Sequence, residues 1–244
     1  MDYQLLSSIL SIVLTIYMII KNSLSFNPVR FHCPNYILNT YLYTFLSIAI
    51  LITTILSIKK INISLEQIFT GPGRFLLLLL SILLIVAVMT VSPKFFFTKH
   101  VIWILYLILM GTILYPIYDT YKESFTHSAV TTAGIMVFLS TIAFMKPELI
   151  SLSWSNTLLM LTVSLLITSI SERVLAYNSL IDNQKYNKLI SYGSVMLFSF
   201  WVLYDTKRVI INAENCINPD YINQSLDFVL DSLNIFTNII NIKE

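Results

Sequence analysis

Long apolar runs separated by short polar connections make up almost the whole chain. Seven of them, roughly 3–20, 36–58, 75–92, 101–118, 128–145, 152–170 and 189–204, contain no Asp, Glu, Lys or Arg. An eighth, 221–242, has the same length but carries Asp227 and Asp231. A bilayer core about 30 Å thick is crossed by roughly 20 apolar residues of helix. In lipid a helix satisfies its own backbone hydrogen bonds, so runs of this length predict transmembrane helices. Leu and Ile dominate, and interspersed Ser and Thr can bond back to the helix or across to a neighbour.

The connections are too short for a second domain. Residues 59–74 carry Lys59, Lys60, Glu66, the turn Gly71-Pro72-Gly73 and Arg74; residues 171–188 carry Glu172, Arg173, Asp182 and Asn183. The expected class is therefore all-α, a polytopic membrane helical bundle. No Lys or Arg precedes Lys21, so the first run lacks the basic n-region of a signal peptide and reads as a retained helix. No Arg-rich transit segment is visible. With eight spans, one side collects Lys59, Lys60, Arg74, Lys122, Arg173, Lys185, Lys188 and Lys243; the other collects Lys21, Arg30, Lys94, Lys99, Lys146, Lys207 and Arg208. The two sides are nearly balanced, so the positive-inside rule does not choose an orientation.

Composition agrees with a membrane protein. Of 244 residues 56% are hydrophobic and 11% charged, against about a quarter charged in soluble domains. Five glycines and seven prolines leave few turns for an all-β chain. A formal charge of +2 offers no basic stripe for nucleic acid. Cys33 and Cys216 stand far apart without a CxxC or Cys/His cluster, so no zinc site is expected and both read as free thiols. No phosphate loop, G-x-S-x-G or H-E-x-x-H occurs, and the chain is not expected to be an enzyme or to hold a resident cofactor.

An ionisable side chain at the bilayer centre costs roughly 2.5–3.5 kcal/mol on insertion scales, so one that is present faces the protein interior or a water-filled cavity. Asp231, near the middle of 221–242, meets this criterion best. Asp227 lies one turn earlier on roughly the same face. Asp205 ends the run 189–204, and continuation of its helix to about Ile211 would bring it inside the membrane. Two carboxylates in a low-dielectric bundle rarely both ionise; one shared proton, titrating as a coupled pair, is the expected state. Carboxylate oxygens also bind hard cations such as Ca²⁺. Against this stand blander readings: Asp205 as a solvated helix end beside Lys207 and Arg208, Asp231 as a buried acid bonded to a Ser or Asn, and Asp227 facing interfacial water near Asp220. His32 and His127 read as solvated loop residues and His100 as an interfacial anchor. Asp119, Glu123 and Glu172 read as solvated segment ends.

Two stretches carry a resemblance. Leu197-Phe198-Ser199-Phe200-Trp201-Val202-Leu203-Tyr204-Asp205-Thr206-Lys207-Arg208 resembles the penultimate helix of the BAX-inhibitor-motif transmembrane family, and Ser225-Leu226-Asp227-Phe228-Val229-Leu230-Asp231-Ser232-Leu233-Asn234-Ile235-Phe236 resembles its last helix. Asn39-Thr40-Tyr41-Leu42-Tyr43-Thr44 looks like the start of the first core helix. The stretches Lys99–Trp103, Met110-Gly111, Thr131–Ile135 and Leu139–Thr141 are similar to the growth-hormone-inducible transmembrane branch. The resemblance implies a seven-helix domain over 36–244, preceded at 1–35 by an extra transmembrane helix and linker. It implies an aspartate pair, Asp205 and Asp231, acting as a pH-sensing latch on a calcium path, with Asp227, Lys94 and Lys99 as accessory candidates. It also implies calcium/proton exchange, a link to cell-death regulatory proteins, and the mitochondrial inner membrane. The endoplasmic reticulum or a host membrane of a virus remain open.

Two functions follow. One is a calcium leak channel or calcium/proton exchanger whose partners are the bilayer, calcium and protons. The other is a non-transporting scaffold that inhibits apoptosis or organises membranes through protein partners, using exposed loops such as 59–74 or 171–188. An intramembrane aspartyl protease is disfavoured, because Leu203-Tyr204 stands where G-x-G-D would be needed.

Overall fold

The computed structural model describes residues 3–26, 29–61, 72–177 and 183–243. Among these residues there are eight α-helices: α1 (Tyr3–Ser23), α2 (Tyr36–Ile61), α3 (Pro72–Thr90), α4 (Phe96–Thr120), α5 (Lys122–Met145), α6 (Trp154–Tyr177), α7 (Asn183–Glu214) and α8 (Tyr221–Lys243). A hairpin of β1 (Leu24–Phe26) and β2 (Val29–Phe31) joins α1 to α2, with Leu24 opposite Phe31. The apolar runs gave no sign of it. Five helices, α1, α2, α4, α5 and α6, are long and apolar enough to cross a membrane. The apolar stretch of α3, Phe75–Thr90, is shorter. α7 and α8 interrupt their apolar surface with Lys185, Lys188, Asp205, Lys207 and Arg208, and with Asp227 and Asp231. Many large apolar side chains point outward, among them Leu10, Leu14, Leu76, Leu83, Val137, Met160 and Ile167. Lipid tails, not water, suit such a surface. The chain is an all-α polytopic membrane protein.

Two compact units can be distinguished: residues 1–120 with 213–226, and residues 121–212 with 227–244. In the first unit α2 packs on α1 and α4, and α3 packs on α4. The α2–α4 crossing is close because Gly111 has no side chain; a Cβ there would lie 2.8 Å from Thr54 Cβ and 3.0 Å from the Leu51 carbonyl oxygen. Small residues permit such approach where helices associate by van der Waals contact. Gly111→Val is expected to force α2 and α4 apart and destabilise the protein by about 1–3 kcal/mol. Thermal unfolding in detergent, compared with the silent control Gly134→Ala, checks this; a Cβ at Gly134 meets nothing within 4 Å.

One end of the first unit is tied together by polar contacts. Tyr221 donates to the His32 carbonyl at 2.6 Å, Asn223 to the Met89 carbonyl at 3.1 Å, and Asn39 to the Asn22 and Pro34 carbonyls. Phe31, Tyr36, Tyr43, Phe96, His100, Trp103 and Tyr221 form an aromatic nest beneath them. His100 is built into that nest: its Nδ1 donates to the Phe96 carbonyl at 2.7 Å, and its Nε2 accepts from the Tyr43 hydroxyl at 2.9 Å. His32 is half-buried, and its Nδ1 has no partner among the described residues.

The expectation of free thiols fails. Cys33 and Cys216 form a disulfide, with Cα atoms 5.9 Å apart. A separation of 183 residues in sequence concealed this; the turn before α2 and the turn before α8 meet only because the helices return to the same end of the unit.

In the second unit two apolar clusters hold the helices. Leu158 of α6 packs with Leu197 and Tyr204 of α7, flanked by Trp154, Leu165 and Trp201. Val202 of α7 packs with Ile235 and Ile239 of α8, flanked by Ile135, Met136 and Leu139 of α5. Trp201 donates its indole N–H to Thr162 at 2.9 Å, adding direction to the apolar contact.

Candidate functional site

The polar heart of the second unit lies one turn beyond the Val202 cluster. Val202 fixes the inward face of α7, and the helical repeat then carries Asp205 and Thr206 inward as well. Asp205 is 3% exposed, Thr206 fully buried. Thr206 bonds back to the Val202 carbonyl and meets the Ser140 hydroxyl of α5 at 3.2 Å. On α8, Ile235 and Ile239 define the inward stripe, and Asp231, four residues before Ile235, falls on it at 5% exposure. The same spacing that packs the apolar cluster thus delivers one carboxyl group from each helix.

The side chains of Asp205 and Asp231 come within hydrogen-bonding reach of each other. A hydrogen bond between two carboxyl groups needs a proton on one of them. The remaining oxygens, Asp205 Oδ1 and Asp231 Oδ2, have no hydrogen-bond partner among the described residues. Ser232 and Asn234, beside Asp231, turn back to the Val229 and Leu230 carbonyls of their own helix. The bland expectation of a lone acid bonded to Ser or Asn is therefore not what the structure contains.

Asp227 does not simply face water. It forms an ion pair with the guanidinium of Arg208, which also lies 3.6 Å from Asp205 Oδ1. Arg208 follows Asp205 by three residues, so both sit on one side of α7. It is 38% exposed, so the cation reaches outward while its planar head touches two carboxylates. The site therefore holds three acidic groups and one fixed cation.

Of the other candidates, Lys94 is exposed. Lys99 lies in the first unit and is 0% exposed. Its ammonium group donates to Asp220 at 2.5 Å and to the Val91 carbonyl at 2.8 Å. Asp220 uses its second oxygen to accept the Asn223 backbone N–H at 3.2 Å, capping α8. Asp119 and Glu123 are exposed as expected. Glu172, expected in solvent, is 8% exposed, and its Oε1 has no hydrogen-bond partner among the described residues. His127 lies within α5, not in a loop, and contacts Lys243. Among the described residues no group of three or more His, Cys, Asp and Glu is placed to hold a metal ion. The Asp205–Asp231 pair alone would leave most of a calcium ion's six to eight oxygen ligands to water and carbonyls.

Arg208 and Asp220 were not singled out by sequence. The spacing of Arg208 from Asp205 was a usable signal for the first. Asp220 carried a weaker one: an Asp immediately before a helical run is a preferred N-cap.

The fold and this geometry define the class: a polytopic helical membrane protein with two carboxyl groups buried between its last two helices. Residues 33–243 match the family described as Inhibitor of apoptosis-promoting Bax1, and the chain belongs to that Bax-inhibitor family. It is also similar to the growth hormone-inducible transmembrane protein of Rattus norvegicus, with 31% identity over 148 residues, 58% of this chain and 42% of that protein. The match thus spans less than half of the relative's length.

Proposed function

We propose that the protein is a pH-sensitive calcium leak channel or calcium/proton exchanger that uses Asp205 and Asp231. The supporting observation is two buried carboxyl groups within hydrogen-bonding reach of each other, the outer oxygen of Asp205 facing Arg208 at 3.6 Å and that of Asp231 without a hydrogen-bond partner among the described residues. A site of this kind has two ways to balance its charge: take up protons, or release them and accept a cation. Arg208 is shared between Asp227 and Asp205, and the Asp205–Asp231 pair sets the remaining balance through its proton count. With one proton it carries a single negative charge; with two protons, or with a divalent cation and none, no excess of negative charge is left. Ca²⁺ and protons then compete for the same oxygens, which is the physical basis of coupling. Ca²⁺ is the cargo, and its remaining coordination comes from water. Purified protein in liposomes is expected to pass Ca²⁺ in a pH-dependent manner. Vesicles that pass none, whether at acid, neutral or alkaline pH, would refute the reading.

The family description favours a second reading. Inhibition of an apoptosis-promoting protein requires a partner surface, not an ion path, so the chain would act as a non-transporting scaffold in cell death or membrane organisation. Loops 59–74 and 171–188 are its natural contact regions, although 62–71 and 178–182 lie outside the described residues. This reading expects Asp→Asn variants to keep full activity and loop variants to lose it. For the membrane concerned, the resemblance to the growth-hormone-inducible branch supports the mitochondrial inner membrane, with the endoplasmic reticulum or a host membrane of a virus as alternatives.

A further inference from the structure

The near-even distribution of Lys and Arg left the orientation of the bundle open, but the cysteines supply an independent marker. Cys33 follows the hairpin, and Cys216 lies in the turn between α7 and α8. The same end of the first unit carries the Tyr221–His32, Asn223–Met89 and Lys99–Asp220 contacts. Lys94 is exposed in the connection between α3 and α4 at this end, while Lys59 and Lys60 close the opposite end of α2. The disulfide therefore belongs to one aqueous face of the protein. Both cysteines are half-buried, so the thiols are within reach of a reagent from that face.

We propose that Cys33 and Cys216 are a thiol-oxidation site, and that this end of the first unit faces an oxidising compartment while the Lys59–Lys60 end faces the cytosol or an equivalent reducing one. Disulfides form and persist in secretory, periplasmic and comparable oxidising spaces and are rare where thiol reductants prevail. The co-reactant is the disulfide of a thiol–disulfide oxidoreductase resident in that space. The thiolate of one cysteine attacks it, forming a mixed disulfide and releasing one of the oxidoreductase's thiolates. The second cysteine's thiolate then attacks its partner's sulfur in the mixed disulfide and displaces the other. Two protons and two electrons leave the cysteine pair, and the oxidoreductase is left as a dithiol. Four residues beyond Cys216, Asp220 neutralises the buried Lys99, so the bond also tethers the turn that carries that carboxylate. Ion transport plays no part in this assignment.

The test uses the full chain with its native cysteines, in sealed vesicles whose outer surface is the cytosolic or matrix face. Two reporters, Lys94→Cys and Lys60→Cys, each add one exposed thiol while leaving the disulfide intact. A membrane-impermeant maleimide is expected to label Lys60→Cys in sealed vesicles and to leave Lys94→Cys unlabelled until detergent opens them. In the unaltered chain, denatured under alkylating conditions, no thiol should react until a reductant is added, after which two do. The reverse labelling pattern would overturn the orientation. Two free thiols in the unaltered chain without reductant would overturn the oxidation site itself.

Discussion

Asp231→Asn in reconstituted vesicles is expected to lose the pH dependence of Ca²⁺ flux and to lower the flux itself about ten- to a hundredfold. The magnitude follows from removing one charged oxygen ligand, an interaction worth about 1.5–3 kcal/mol, with about 1.4 kcal/mol per factor of ten. Asparagine keeps the size and one carbonyl oxygen, so the fold should survive. It cannot share a proton with Asp205 or neutralise a cation. Asp205→Asn should act in the same direction, because the two groups form one titrating unit. The double variant should then be little worse than either single one, as expected of residues that act together. Asp119→Asn, at an exposed helix end, should leave both flux and its pH response unchanged. Unaltered flux in both membrane variants would remove the site assignment and leave the scaffold reading.

The second large effect concerns stability. Lys99 is 0% exposed, and the carboxylate that meets it comes from Asp220 in the turn before α8. Lys99→Met keeps the length of the side chain but leaves Asp220 and the Val91 carbonyl without their donor. Removing one partner of a buried pair typically destabilises by about 3–5 kcal/mol. The partly exposed Asp220, 23% accessible in its side chain, lets some water in and places the expected loss near the lower end. Asp220→Leu should be worse than its burial suggests, since it strands the lysine and removes the α8 cap, the cap alone being worth about 1 kcal/mol. The double variant Lys99→Met with Asp220→Asn should recover part of the loss, because no uncompensated charge remains and asparagine still caps. Unfolding in detergent of Lys99→Met, Asp220→Asn and the double variant, read as a double-mutant cycle, measures this coupling. Independent, additive losses would show that the pair is not coupled.

The apolar runs made the membrane helices legible because a segment in lipid has few alternatives to a helix. Asp231 stood out for a related reason: charge within such a run is costly and turns toward the protein interior, whereas Asp205, at the end of its run, stood out through the family resemblance of its helix. What remained hidden depends on how distant segments meet. Nothing near Cys33 points to Cys216, and nothing near Lys99 points to Asp220; both pairs arise where the helices of the first unit return to one end. The hairpin at Leu24–Phe31 was hidden because two three-residue strands are too short for a period-two pattern to stand out. His100 read as an interfacial anchor because its position at a helix start suits that role. Its burial depends on Phe31 and Tyr43, which belong to other elements. Arg208 was in view beside Asp205 but read as a sign of solvent. In the structure it bridges Asp205 and Asp227, a role set by the pairing of α7 with α8.

Infrared spectroscopy of the reconstituted protein, with Ca²⁺ titrated at neutral pH, reads directly whether the carboxyl pair holds a proton. The protonated carboxyl stretch should be present before Ca²⁺ is added, disappear as Ca²⁺ binds with release of a proton to the medium, and be missing from a variant in which both Asp205 and Asp231 are asparagine. A spectrum in which both groups are already ionised, or one that Ca²⁺ leaves untouched, would contradict a carboxyl pair that exchanges protons for calcium.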